Sequence, residues 1–231
     1  MKKLFLLLAI ALPFVFISCK DDKDEPAGPD DHEYVDLGLP SGTLWATCNV
    51  GANNPEEYGS YFAWGETAPK EVYSKDNYKW SNGSPYVMTK YCTISDGDTF
   101  DNKTELDAAD DAAYVNWGSK WRMPSLGQIQ ELCELCTWQW TQTNGVKGQL
   151  VTGPNGNTLF LPAAGGRSNR LYNDGECGYY WSRTLCSRDK LIIEAAGSAH
   201  AYIQFFDSWE GEVWYESRFS GATVRAVRAA K

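Results

Sequence analysis

The sequence predicts an α+β domain, with a mixed or antiparallel sheet of short strands, two helices and long loops. Three observations predict it. Several short runs alternate apolar and polar residues between turns rich in Gly, Pro and Asn. Only two segments carry a capped helical pattern. Residues 53–104 are rich in Gly, Asn, Ser, Pro and aromatic residues and show little periodicity. Few helices among many short strands put the chain in the α+β class.

The first stretch lies outside that domain. "MKKLFLLLAIALPFVFISC" opens with Lys2 and Lys3, continues as an apolar run and ends at Cys19. Residues 1–18 read as a secretory signal, because the run is too short and too early for an ordinary spanning helix. Its end, "FISC", resembles the lipobox of bacterial lipoproteins, which implies cleavage before Cys19 and lipidation of that residue. Residues 20–33, "KDDKDEPAGPDDHE", carry seven acids, two lysines and two prolines. Such a segment buries too little apolar surface to offset its ordering entropy, so residues 19–33 form a lipidated cysteine and a flexible acidic tether. Acids after such a cysteine also resemble the surface-export signal of Bacteroidetes lipoproteins. The expected location is therefore the outer membrane, anchored by lipid, facing outward.

Residues 34–231 suffice for one domain with a sizeable core. The chain has 21 basic and 30 acidic residues; without the four lysines and seven acids up to Glu33, 17 and 23 remain, about −6 net. A charge of that sign without a basic stripe argues against nucleic acid as a partner. The lipid anchor is the expected membrane contact.

In chain order, Val35, Leu37 and Leu39 share one strand face, Pro40–Gly42 turn, and Leu44, Ala46 and Cys48 share a face of the return strand. Tyr61, Phe62, Trp64, Tyr78 and Trp80 pack the loops that follow. "DAADDAAYVNWG" reads as a helix with Asp107 as N-cap, Asp110 and Asp111 in its first turn and Gly118 as its stop. Ser125 and Gln128 form the capping box of a second helix, whose apolar stripe is Leu126, Ile129, Leu132, Cys133 and Cys136. "GQLVTGPNGNTLFLPAAG" is a hairpin turning at Gly153–Gly156. Strands follow at 179–182, 201–206, 212–216 and 222–228, with a turn at Asp207–Gly211 between the second and third.

The segments "VDLGLPSGTLWATCNVGA", "EEYGSYFAWGE", "WRMPSLGQIQEL", "GNTLFLPAAG", "GYYWSRT" and "SGATVRAVR" occur in that order. Together they resemble the Fibrobacter succinogenes major paralogous domain, over nearly everything from Tyr34 to Arg228. That family is similar to the formylglycine-generating-enzyme branch of the C-type lectin fold. The resemblance implies a C-type-lectin-like domain with its first and last strands in one sheet and two helices beside it. Related domains serve as variable proteins of diversity-generating retroelements, which present interchangeable residues near the C-terminus. Between "GYYWS" and "VRAVR" this chain departs from the family's usual run at Cys186, Arg188, Ile192 and His200. Diversification and ordinary drift would both leave that pattern.

Several chemistries compete for the site. Six cysteines remain after Cys19: Cys48, Cys92, Cys133, Cys136, Cys177 and Cys186. An even number in an exported chain suggests disulfides, with the pairing open. Cys133 and Cys136 are expected to face the core, with at least one reduced. The only histidines are His32, in the tether, and His200, which excludes a three-histidine metal site. Cys177 and Cys186 are the late cysteines that a formylglycine-generating type of oxidoreductase would use, although their spacing does not match that motif. An acidic loop offers Asp96, Asp98 and Asp101 as candidate calcium ligands; without EF-hand spacing, a solvated loop explains the same residues. No other cofactor is expected.

"SWEGEVWYESRFSG", residues 208–221, sets large rings among acids. Strand alternation puts Glu212, Trp214 and Glu216 on one face and Val213 and Tyr215 on the other. A core-facing Trp214 would carry both glutamates inward, which is costly unless they are paired. The expectation is therefore an outward face of Trp214, Glu212 and Glu216, with Trp209 and Glu210 on the turn, extended by Tyr202, Arg218, Arg188 and His200. Exposed tryptophans among polar groups suit recognition of an external glycan or surface protein without catalysis. A structural surface protein with no specific ligand is the remaining alternative.

Overall fold

A computed structural model describes residues 32–81, 88–93, 100–186 and 198–229. Cys19, Asp96, Asp98, Arg188 and Ile192 lie outside these residues.

The α+β expectation holds: the described residues form short strands in antiparallel sheets with two α-helices. β1 (Tyr34–Asp36) and β2 (Thr43–Ala46) form the first hairpin, closed where Gly42 N–H donates to Leu39 O at 2.9 Å. α1 (Ala112–Trp117) and α2 (Leu126–Leu135) follow, then a meander of β3 (Thr137–Thr143), β4 (Val146–Thr152) and β5 (Thr158–Pro162). β6 (Gly166–Arg167) pairs with β7 (Leu171–Tyr172). β8 (Gly178–Leu185), β9 (His200–Phe206) and β10 (Gly211–Ser217) form the sheet that carries the candidate site, in the order β10-β9-β8. β11 (Val227–Ala229) returns to β2, so the first and last strands share a sheet, in the order β1-β2-β11.

Two strands divide the interior into two cores. In β2, Ala46 faces a cluster with Trp64, Trp121, Trp181 and Ile203, while its neighbour Trp45 faces one with Ile129, Leu132, Tyr180 and Phe206. β8 alternates in the same way, Trp181 to the first core and Tyr180 to the second. Strands covered on both faces lose the apolar–polar alternation, which is why all four residues of β2 are buried. A third cluster holds Tyr61, Tyr73, Tyr78 and Met88 beneath the loops.

Four local readings are corrected. The first helix starts at Ala112, capped by Asp111, whose carboxylate accepts from Tyr114 N–H at 3.0 Å; Asp107 only precedes a short 3-10 turn, Ala108–Asp110, and its side chain makes no capping bond there. Asp110 and Asp111 are buried instead of lining a first turn: Asp110 accepts from Lys79, Lys90 and Tyr91, and Asp111 from Arg122 and Met123 N–H. The 222–228 run forms a strand only from Val227, because its earlier residues bond in turn to Phe62, β8, Val50 and Ala46. His32, assigned to the tether, stacks on Trp117 with ring centroids 3.8 Å apart, and Glu33 O accepts from Thr47 N–H.

The second helix keeps its predicted capping box: Ser125 Oγ accepts from Gln128 N–H at 3.3 Å, and Gln128 Oε1 from Ser125 N–H at 2.9 Å. Gln128 Nε2 then donates to Thr43 Oγ1 at 2.9 Å, which ties α2 to β2. Among the described residues no disulfide joins the six cysteines of the domain, contrary to the expected disulfides. They are dispersed among separate core positions and loops: Cys48 and Cys136, for instance, belong to different clusters.

Candidate functional site

The β9–β10 hairpin turns on Asp207. Its Oδ1 accepts from Trp209 N–H at 2.7 Å and Glu210 N–H at 3.2 Å, and its own N–H donates to Glu210 O at 3.1 Å. An aspartate holding the next amides in this way builds a tight turn without apolar support. Gln149 Nε2 anchors the turn to β4 through Asp207 O at 2.7 Å. Gly211 lets the turn sit on Trp138, since a Cβ there would lie 2.9 Å from the indole. Trp209 therefore projects outward, 89% exposed.

Along β10, Glu212, Trp214 and Glu216 pair with Phe205, Ile203 and Ala201 of β9. Opposed residues of an antiparallel pair share a face. The three therefore share a face, as expected; their β9 partners on that face belong to the first core, while Val213 on the other face packs against the second. β10 is the edge strand of its sheet, so this face stays partly open beyond β9, as the exposure of Trp214 shows. Trp214 remains 50% exposed, and its ring lies beside Tyr215, planes 1° apart and centroids 5.6 Å apart. Glu212 stays half-buried. Glu216 turns back, accepting from Ser217 N–H at 2.6 Å and Ser220 Oγ at 3.2 Å. Burial raises the Glu216 pKa, and these two hydrogen bonds only partly offset the rise.

Between β10 and α2 runs a groove of about 270 Å³, lined by Leu126 and Gln130 of α2, Tyr202 of β9 and Val213–Tyr215 of β10. Of the expected site residues, Tyr202 and Trp214 meet in this groove. Tyr202 is otherwise buried. His200 lies two pairs along the ladder from Tyr202, its ring edge-on to Tyr215 with centroids 5.6 Å apart and its Nε2 3.5 Å from Ser217 Oγ. Trp209 and Glu210 stay on the exposed turn.

Arg218 does not belong to the surface patch. It is fully buried, with its guanidinium 4.8 Å from the Trp64 ring centroid and within 6 Å of those of Tyr78 and Tyr91. Its donors reach Tyr78 Oη (3.0 Å), Ser198 O (2.8 Å) and Lys90 O (3.0 Å). Strand alternation stops at Ser217, and Arg218 turns inward to hold three loops together. Asp101 is likewise spent: its carboxylate accepts from the amides of Tyr91, Cys92 and Lys103, which caps a loop instead of offering oxygens to a cation. Burial raises its pKa, but those three hydrogen bonds outweigh burial and leave it lowered. Among the described residues, no group of three His, Cys, Asp or Glu side chains could hold a metal ion.

A second hollow of about 470 Å³ opens beside the turn, lined by Trp140, Lys147, Gly175, Glu176, Cys177, Asp207 and Ser208. Trp140 and Lys147 belong to the β3–β4 hairpin, which went unread in the sequence. Its signal is Asn144-Gly145, with both residues at positive φ (50° and 84°), flanked by the alternating Trp138 and Trp140. Cys177 is half-buried and burial raises its thiol pKa; Cys186 is buried. A raised thiol pKa lowers the thiolate fraction that nucleophilic chemistry needs.

Comparison with protein families, curated proteins and solved structures returned no match.

Proposed function

We propose that the chain is a lipid-anchored surface protein whose C-type-lectin-like domain recognises an external glycan or protein through its C-terminal hairpin, without catalysis. One observation carries the reading. Of ten tryptophans, the two exposed ones, Trp209 and Trp214, both lie on this hairpin. Exposed indoles offer large apolar area and few torsions to freeze, which makes them efficient contacts. Glu210 and Glu212 beside them supply hydrogen-bond acceptors, and the groove against α2 supplies a concave surface. The lectin-like assignment draws on the pairing of first and last strands in one sheet. The lipid anchor draws on "FISC" and the acidic segment after it.

The test is binding of the chain to an array of glycans and surface proteins, with calcium and with chelator, beside the variant Trp209→Ala/Trp214→Ala. The reading requires binding that the double variant loses. Binding that survives the double substitution rejects the hairpin as the site.

A further inference from the structure

β10 is the outer strand of its sheet, and the hydrogen bonds at its end assign every main-chain group along it. Arg218 N–H donates inward to Ala199 O at 2.9 Å. Bonding alternates along an antiparallel pair, so Glu216, Trp214 and Glu212 also bond inward to β9. Gly211, Val213, Tyr215 and Ser217 then present N–H and C=O to the free side. Ser217 N–H is already taken by the Glu216 carboxylate at 2.6 Å. Among the described residues, nothing pairs with the outward groups of Gly211, Val213 and Tyr215.

This edge borders the groove against α2, and Val213 and Tyr215 belong to both. The sequence "GEVWYES" holds neither Pro nor Lys, two residues that commonly blunt edges. It does hold acids. A second copy of this acidic domain, about −6 net, would meet charge repulsion on approaching the same edge. A cationic segment meets no such barrier. Glu210, exposed on the turn, and Glu212, half-buried on β10, supply the acids along this edge.

We propose that β10 takes up an extended segment of a partner protein as an added strand, its alternate side chains apolar toward the α2 groove and cationic toward the acidic rim. The proposal rests on the hairpin being the recognition site and names the ligand class. The outward groups recur every second residue, about 6.8 Å apart, which is the spacing of polypeptide amides in a strand.

The test uses the full chain in detergent and a blocked peptide of five Lys-Val repeats, with a Glu-Val peptide as control. The Lys-Val peptide is expected to bind at least about tenfold more tightly than the Glu-Val peptide. It is expected to slow hydrogen exchange at the Val213 and Tyr215 amides by at least about tenfold. Val213→Pro removes an outward donor and no bond to β9, so the fold should survive while peptide binding falls at least about tenfold. Unchanged exchange at Val213 and Tyr215 under saturating peptide overturns the proposal whether or not the proline variant folds. So does undiminished binding by a folded Val213→Pro variant, or no binding at about 1 mM peptide. Array binding that depends on Trp209 and Trp214 but no peptide effect leaves the recognition reading standing and ends strand addition. Failure of both ends both.

Discussion

Trp214 and Ile203 stand directly opposite each other across the β9–β10 ladder, yet Trp214 is 50% exposed and Ile203 is fully buried. One strand step separates core from surface. β9 lies over the first core and β10 reaches past its rim, so residues on the same face meet different surroundings.

That relationship predicts unequal costs. Ile203→Ala should destabilise by about 2–5 kcal/mol, because a cavity opens in close-packed surroundings. Trp214→Ala should cost less than about 1 kcal/mol while weakening ligand binding. Urea unfolding of both variants measures the contrast, and equal costs would mean that the Trp214 ring supports the core.

Among the described residues, the Arg218 guanidinium contacts carbonyls, one tyrosine hydroxyl and three aromatic rings, and no carboxylate. A lysine cannot reproduce that planar fork. Arg218→Lys should therefore cost at least about 2 kcal/mol in chemical unfolding, since several buried acceptors lose their donors. A cost near zero would return Arg218 to the surface.

The acids respond to pH with opposite signs. Glu216 has a folded pKa raised above its ordinary 4.5 by burial, so the folded state holds its proton more tightly than the unfolded state. Its contribution to stability falls as pH rises through 4.5 toward the raised value. Glu216→Gln keeps an acceptor for Ser217 and removes that loss, so its stability relative to the native chain should improve between acid and neutral pH.

Asp110 behaves in reverse. Burial pushes its pKa up, but hydrogen bonds from Lys90, Tyr91 and Lys79 outweigh it and hold the pKa below 3.8. Its stabilisation is present above that ordinary value and is lost as pH falls through the folded one. The cost of Asp110→Asn should accordingly be largest near neutrality and shrink in acid. Thermal unfolding across pH checks both variants, and pH-independent differences would contradict both assignments.

Burial pushes the Cys133 thiol up to about 12 and Cys136 up to about 11. Neither should react with iodoacetamide in the folded chain near pH 8, whereas all six domain thiols should react in urea without reductant. Mass spectrometry counts the labels. Fewer than six in urea would reveal disulfides.

Much was legible without coordinates because it is written locally. The Ser125–Gln128 capping box, the Pro40–Gly42 and Gly153–Gly156 turns, the Asp207 turn and the paired strands around it depend on residues a few positions apart. The same rules predicted that Trp214 shares a face with Glu212 and Glu216. They also missed β3, although Asn144-Gly145 is as clear a hairpin signal as the one that was used. That was an unread local cue, not a tertiary effect.

The sequence by itself determined the class of the domain, the capping box of the second helix, three of the hairpin turns and the exposure of Trp209. Tertiary structure alone decided where β10's outer edge lies open, and that Arg218 and Asp110 are interior. Alternation says which side chains stand together, but not which neighbour covers them. Only the strand order, β10 outside β9, tells a half-exposed tryptophan from a buried isoleucine directly across from it.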